Sequence, residues 1–184
     1  MRQVILASAS PRRQELLKYV VPDFISVPSD IEEIAEGRPR QQVSLLAKDK
    51  AQDIAAKYPD AVVIGADTLV AIDGEIFGKP SSKRDAADML ARLSGSTHQV
   101  YTGLVVICSG DLLTECVVTD VTFNALTSEE IDEYIETGEP MDKAGAYGIQ
   151  GFGGKFIRRI DGCYFNVMGL PQSVLYGMLK KIGI

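Results

Sequence analysis

Short apolar runs alternate with helix-like stretches along the whole chain. Val4, Ile5 and Leu6 begin the pattern, which predicts a strand over 3–7. Ser10 is a good N-cap, Pro11 suits the first helical position, and Glu15, Leu16 and Leu17 carry a helix over 11–20. A strand at 24–28 and a helix at 41–57 follow, and "AVVIGADTLVAI" reads as a long buried strand. "DGEIFGKP" is a hairpin and loop, and a helix over 82–93 opens at Ser82 and closes near Gly95. Two long strands, 98–108 and 112–123, meet at a turn in "SGD". Thr127 and Glu130 form a capping box for a helix over 128–137, which Gly138 and Pro140 stop. A glycine-rich segment at 145–155, a strand near 156–160 and a helix over 171–181 finish the chain. The alternation predicts an α/β fold, and the adjacent long strands make its sheet mixed, flanked by helices. With no repeat or linker, residues 1–184 read as a single domain.

One stretch breaks the electrostatic rule that the rest obeys. In "LASASPRRQELL" both Arg12 and Arg13 fall in the first helical turn, where the macrodipole is positive and a cation costs about 0.3–1 kcal/mol. The helix after Thr127 places carboxylates there instead. An anion from outside would resolve the conflict. Free backbone N–H groups, the Ser8 and Ser10 hydroxyls and two guanidiniums would make a seat for phosphate. The competing reading is that both arginines point into solvent.

Composition narrows the classes of function. The net charge of −6 argues against a nucleic-acid or membrane-surface binder, which needs a basic face, but leaves room for a small anionic ligand. Three cysteines without CxxC spacing fit a reducing compartment. "MRQVILAS" is too short for a signal peptide, and no run approaches transmembrane length, so the expected location is cytoplasmic.

Asp67 is the first candidate for chemistry, because a carboxylate after the apolar run 61–66 is costly to bury unpaired. A metal ion or an activated water would explain it; so would a structural cap or a lysine partner. Glu32 and Glu33 form an acidic pair in a loop. Lys48 and Lys50, two apart on one helix, cannot share a face, and Lys79 is held between Gly78 and Pro80. "AGAYGIQGFGGK" fails both glycine-rich phosphate motifs: Ile149 stands where a P-loop needs glycine, and Phe156 breaks G-x-G-x-x-G. Its glycines instead permit tight turns around Gln150. A single histidine, His98, and no G-x-S-x-G argue against a Ser-His-Asp hydrolase, and one histidine with scattered cysteines makes no zinc site. Oxygen ligands and basic residues remain, which suit Mg²⁺ or Mn²⁺ and phosphate.

"LASASPRRQELL" resembles the signature of the Maf family of nucleoside triphosphate pyrophosphatases. "IGADTLVAIDGEIFGKP", "LSGSTHQVYTG" and "EPMDKAGAYGIQGFGGKFIRRIDGCYFNVMGLP" match further blocks of that family in order. The resemblance implies an elongated, two-lobed fold with a central cleft, similar to the inosine triphosphatases, often dimeric. It implies hydrolysis of a nucleoside triphosphate to monophosphate and pyrophosphate with a divalent cation, Mg²⁺ or Mn²⁺. By position, Ser8, Arg12 and Arg13 would bind the triphosphate, while Glu33, Lys50, Asp67 and Lys79 would line the cleft. Asp67 would accept the proton, Glu33 and Asp67 would hold the metal, and Thr68, Arg12 and Gln150 would select the base. "AGAYGIQG" is similar to the uridine/thymidine type, whereas the 7-methyl-GTP type carries glutamate at the place of Gln150. The amide can match O4 and N3–H of uracil or thymine, so dTTP and UTP are the expected substrates. A pyrophosphatase for 7-methyl-GTP or another modified nucleotide, and a nucleotide-binding regulator of septum formation, are the competing readings.

Overall fold

Local signals place the elements of the computed structural model, which describes residues 2–32 and 37–184. β1 (Val4–Leu6), α1 (Pro11–Lys18), β2 (Ile25–Ser26), α2 (Pro39–Lys57) and β3 (Val62–Ile72) come first. Next are β4 (Glu75–Phe77), α3 (Lys83–Leu93), β5 (Thr97–Cys108), β6 (Asp111–Phe123) and α4 (Ser128–Glu136). Three short 3-10 turns lead to β7 (Ile157–Asp161), α5 (Tyr164–Met168) and α6 (Gln172–Lys181). Ser10, Ser82 and Thr127 cap their helices as expected, and Thr127 with Glu130 makes both halves of the capping box. The hairpins turn at Asp73–Gly74 and Ser109–Gly110, all four residues at positive φ, as two-residue turns between right-twisted strands require.

Three expectations shift. The strand predicted at 24–28 pairs only at Ile25–Ser26. The glycine-rich segment folds into 3-10 turns at Ala144–Ala146 and Phe152–Phe156. α5 was not foreseen at all, because five residues carry too little periodicity to read.

The sheet is mixed, in the order β2-β1-β3-β5-β6-β7, with β4 also paired to β3. β5 runs antiparallel to nearly the whole of β3. On the opposite edge of β3, β1 pairs in parallel with Val62–Ile64, and β4 pairs antiparallel with Val70–Ile72. Among the described residues, 65–69 therefore have a strand neighbour on one side only, and the sheet opens there.

Alternation along β3 directs the two faces to different partners. Val63, Leu69 and Ala71 pack with residues of α2 such as Val43, Ala47 and Ala51. Glycines let that helix lie close: a Cβ on Gly65 would overlap Ala47 O, and one on Gly103 would overlap Val43 O. The other face carries two apolar clusters. Ile64, Ala66, Leu104 and Leu170 belong to one, and Val70, Val100, Phe123 and Tyr134 to the other. Thr68 and Thr102, directly opposite each other in register, fall between the two.

Candidate active site

The gap in β3 opens into a cavity of about 890 Å³, and Asp67 and Thr68 line it from its floor. As neighbours on a strand they face opposite sides, so each meets a different partner. Asp67 faces α2, where Lys50 Nζ donates to its Oδ1 at 2.6 Å, with both side chains largely buried. The close seat of α2 on Gly65 and Gly103 brings Lys50 to this position. The lysine partner considered for Asp67 from sequence is thus present, inside the cavity rather than on the surface.

Thr68 faces α1. Its hydroxyl accepts from Arg13 Nη2 at 3.0 Å and shares a hydrogen bond with Thr102 Oγ1 at 2.9 Å. Thr102 donates in turn to Asn166 O, and Asn166 Nδ2 donates to Val100 O and Thr119 Oγ1. This polar chain separates the two apolar clusters and ties α5 to the sheet beneath the site.

The two arginines at the start of α1 do not simply point into solvent. Arg13 Nε donates to Gly169 O at 2.9 Å and Nη1 to Ser8 Oγ at 3.3 Å, so three protein acceptors orient its guanidinium. Arg12 Nη1 reaches Asp142 Oδ2 at 3.4 Å, a more exposed pairing. The anion seat differs from expectation in one respect. The N–H groups of Ser8, Ser10 and Arg13 are already used, by Leu6 O, Ser8 Oγ and Ser10 Oγ, so they are not free backbone donors.

Ser8, Arg12, Arg13, Lys50, Asp67, Thr68, Lys79 and Gln150 all line this one cavity. Lys79 and Gln150 are exposed at its rim. Glu33 lies outside the described residues. No group of three or more His, Cys, Asp or Glu side chains that could hold a metal occurs among the described residues. Asp67 is a hard oxygen donor at the cavity wall, and the donor set suits an ion that takes its remaining oxygens from phosphate and water.

Polar residues of the cavity that the sequence does not single out include Ser29, Gln42, Glu139, Asp142 and Lys143. Burial works against ionisation of Glu139, but donation from Phe152 N–H, the Tyr134 hydroxyl and Gly153 N–H, with the charge of Lys143, holds its carboxyl below the usual range. For Asp142, too, burial is outweighed, here by Lys143 and Arg12. His98 is fully buried, shares a hydrogen bond with Tyr147 Oη at 2.8 Å, and has its pKa lowered by burial to about 4. No local signal marked Glu139, whose backbone donors lie 13 and 14 positions downstream.

The family profile described as Maf-like protein matches residues 3–182. The chain belongs to that family. Among curated Maf relatives, the dTTP/UTP pyrophosphatase of Bacillus pumilus is 51% identical, covering 100% of this chain and 98% of its own. The dTTP/UTP pyrophosphatase of Clostridium botulinum strain Kyoto is 47% identical, covering 100% and 99%. Two solved structures share the fold: the Ham1 protein of Staphylococcus aureus, with TM-score 0.55 and 15% identity over 98% of this chain and 99% of that one, and a HAM1 protein from Coxiella burnetii, with TM-score 0.54 and 12% identity over 98% and 100%. The expected fold class is therefore present. Among the described residues, no helix is long and apolar enough to cross a membrane.

Proposed function

We propose that this Maf-like chain hydrolyses dTTP and UTP to the nucleoside monophosphate and pyrophosphate. The observation that carries this reading is full-length identity of 47–51% to relatives named for that activity. The cavity supports it through its chemistry. Arg12, Arg13 and Lys79 bring positive charge to a cavity that the Asp67 carboxylate also lines.

The roles proposed for the site residues draw on this geometry. Arg13, fixed by Ser8, Thr68 and Gly169, binds phosphate oxygens without having to reorganise, which is how preorganised cations stabilise developing charge. Arg12 leaves Asp142 for the polyphosphate, and the exposed Lys79 of the same cavity adds a further cation to it. Asp67 orients the attacking water and takes its proton, while Lys50 holds the carboxylate in place. Glu33 and Asp67 would hold a divalent ion, Mg²⁺ or Mn²⁺, which when bound offsets charge on the departing pyrophosphate. Gln150 reads the base, its amide matching the acceptor and donor of a uracil or thymine edge.

Steady-state hydrolysis of a nucleotide panel tests the assignment. The specificity constants for dTTP and UTP should exceed that for GTP by at least about tenfold. Equal values for all bases would overturn the base assignment.

A further inference from the structure

Gly148, Gly151 and Gly153 of "AGAYGIQGFGG" lie around the Glu139 carboxylate. Glu139 Oε1 accepts from the Tyr134 hydroxyl at 2.8 Å and from Gly153 N–H at 3.2 Å, and Oε2 accepts from Phe152 N–H at 2.8 Å. Tyr134 Oη also accepts from Gly148 N–H at 3.1 Å. The backbone on both sides of Gln150 is therefore fastened to one anion, directly after it and through the tyrosine before it. A side chain at these points would have to displace the carboxylate or its partners. A Cβ on Gly151 would overlap Glu139 Oε2, one on Gly148 would lie 3.0 Å from Oε1, and one on Gly153 would lie 2.7 Å from Tyr134 Oη. Lys143 Nζ donates to the Glu139 carbonyl at 2.8 Å and so holds the anchor itself.

We propose that Glu139 is a positioning residue for base selection: its carboxylate holds segment 148–153 in the shape that presents Gln150 to the cavity. The inference rests on Gln150 being the base reader. Each hydrogen bond to a charged acceptor is strong, and Glu139→Gln leaves the Phe152 and Gly153 N–H groups and the Tyr134 hydroxyl competing for a single acceptor oxygen. The selectivity of the site is then set partly by a residue that acts through the placement of Gln150.

The test uses Glu139→Gln, Tyr134→Phe, Gln150→Ala and the Glu139→Gln/Gln150→Ala double variant in the full chain, each checked for a cooperative thermal melt. Two readouts are taken. The first is the ratio of kcat/KM for dTTP to that for GTP. Glu139→Gln should lower it about tenfold, Tyr134→Phe by less, and the double variant no further than Gln150→Ala alone. An unchanged ratio in Glu139→Gln, an equal loss on both nucleotides, or losses that multiply in the double variant would overturn the proposal. The second is amide hydrogen exchange at Phe152 and Gly153, read without nucleotide. Exchange should quicken in Glu139→Gln, and wild-type rates there would overturn the clamp. A wild-type enzyme that shows no preference for dTTP refutes the substrate reading, and the exchange rates alone then decide the clamp. Should Glu139→Gln fail to fold, Tyr134→Phe decides by the same two readouts.

Discussion

Lys50 Nζ and Asp67 Oδ1 meet at 2.6 Å within residues 65–69 of β3, where, among the described residues, a strand pairs on only a single side. A helix lysine and a mid-strand aspartate reach each other because Gly65 and Gly103 let α2 sit directly on the sheet. The pair thus belongs to the packing as well as to the chemistry, and the two contributions can be separated by substitution.

Asp67→Asn keeps the shape of the side chain and removes its charge. Turnover should fall by at least about 100-fold, the lower range for loss of a general base, with the fold retained. Steady-state rates beside a thermal melt check this. Activity within about threefold of wild type would remove Asp67 from the proton-accepting role.

Gly103→Ala should damage activity from a distance. The added methyl meets the backbone of Val43, so α2 must shift or the strand must bend, at a cost of about 1–3 kcal/mol. A lowered denaturation midpoint and a rate that falls with it are expected. A stability loss with full activity would show that the seat of α2 does not position Lys50.

Buried His98 gives stability a defined pH slope. Its pKa is about 4 in the fold against 6.5 ordinarily, so between these values the unfolded chain binds more protons than the native one. This contribution is intact above pH 6.5 and is lost progressively as the pH falls toward 4, by about 3 kcal/mol in total. Denaturant melts from pH 4 to 7 should be steeper in pH for the wild type than for His98→Gln. Parallel curves would mean that His98 is not held neutral.

Gln150→Glu replaces an amide that can donate and accept by a carboxylate that only accepts. Hydrolysis of dTTP should weaken relative to GTP by about tenfold or more. If competition between the two nucleotides is unaltered, the base is read elsewhere in the cavity.

Much of this architecture was legible because it is local. Caps at Ser10, Ser82 and Thr127 and turns at Asp73–Gly74 and Ser109–Gly110 act within a few residues, and each forms where the sequence places it. The misplaced arginines were a usable signal because the macrodipole rule is also local; their partners Thr68, Asp142 and Gly169 were not visible, since those contacts span 55 to 156 positions. Gln150 could be singled out for its functional group, but the glycines around it gave no hint that a carboxylate lies inside the turn. That fact depends on Tyr134 and Glu139 being carried there by α4 and the 3-10 turn at Glu139–Asp142. The role proposed for Glu33 rests on the resemblance, since an acidic pair in a loop does not by itself distinguish a ligand from a solvated turn.

The products formed from dTTP test the central claim most directly. Wild-type protein with Mg²⁺ or Mn²⁺ should yield dTMP and pyrophosphate in equal amounts, resolved by ion-exchange chromatography. Formation of dTDP with orthophosphate would contradict the account, because water would then be cleaving the terminal anhydride rather than the bond between the α and β phosphates.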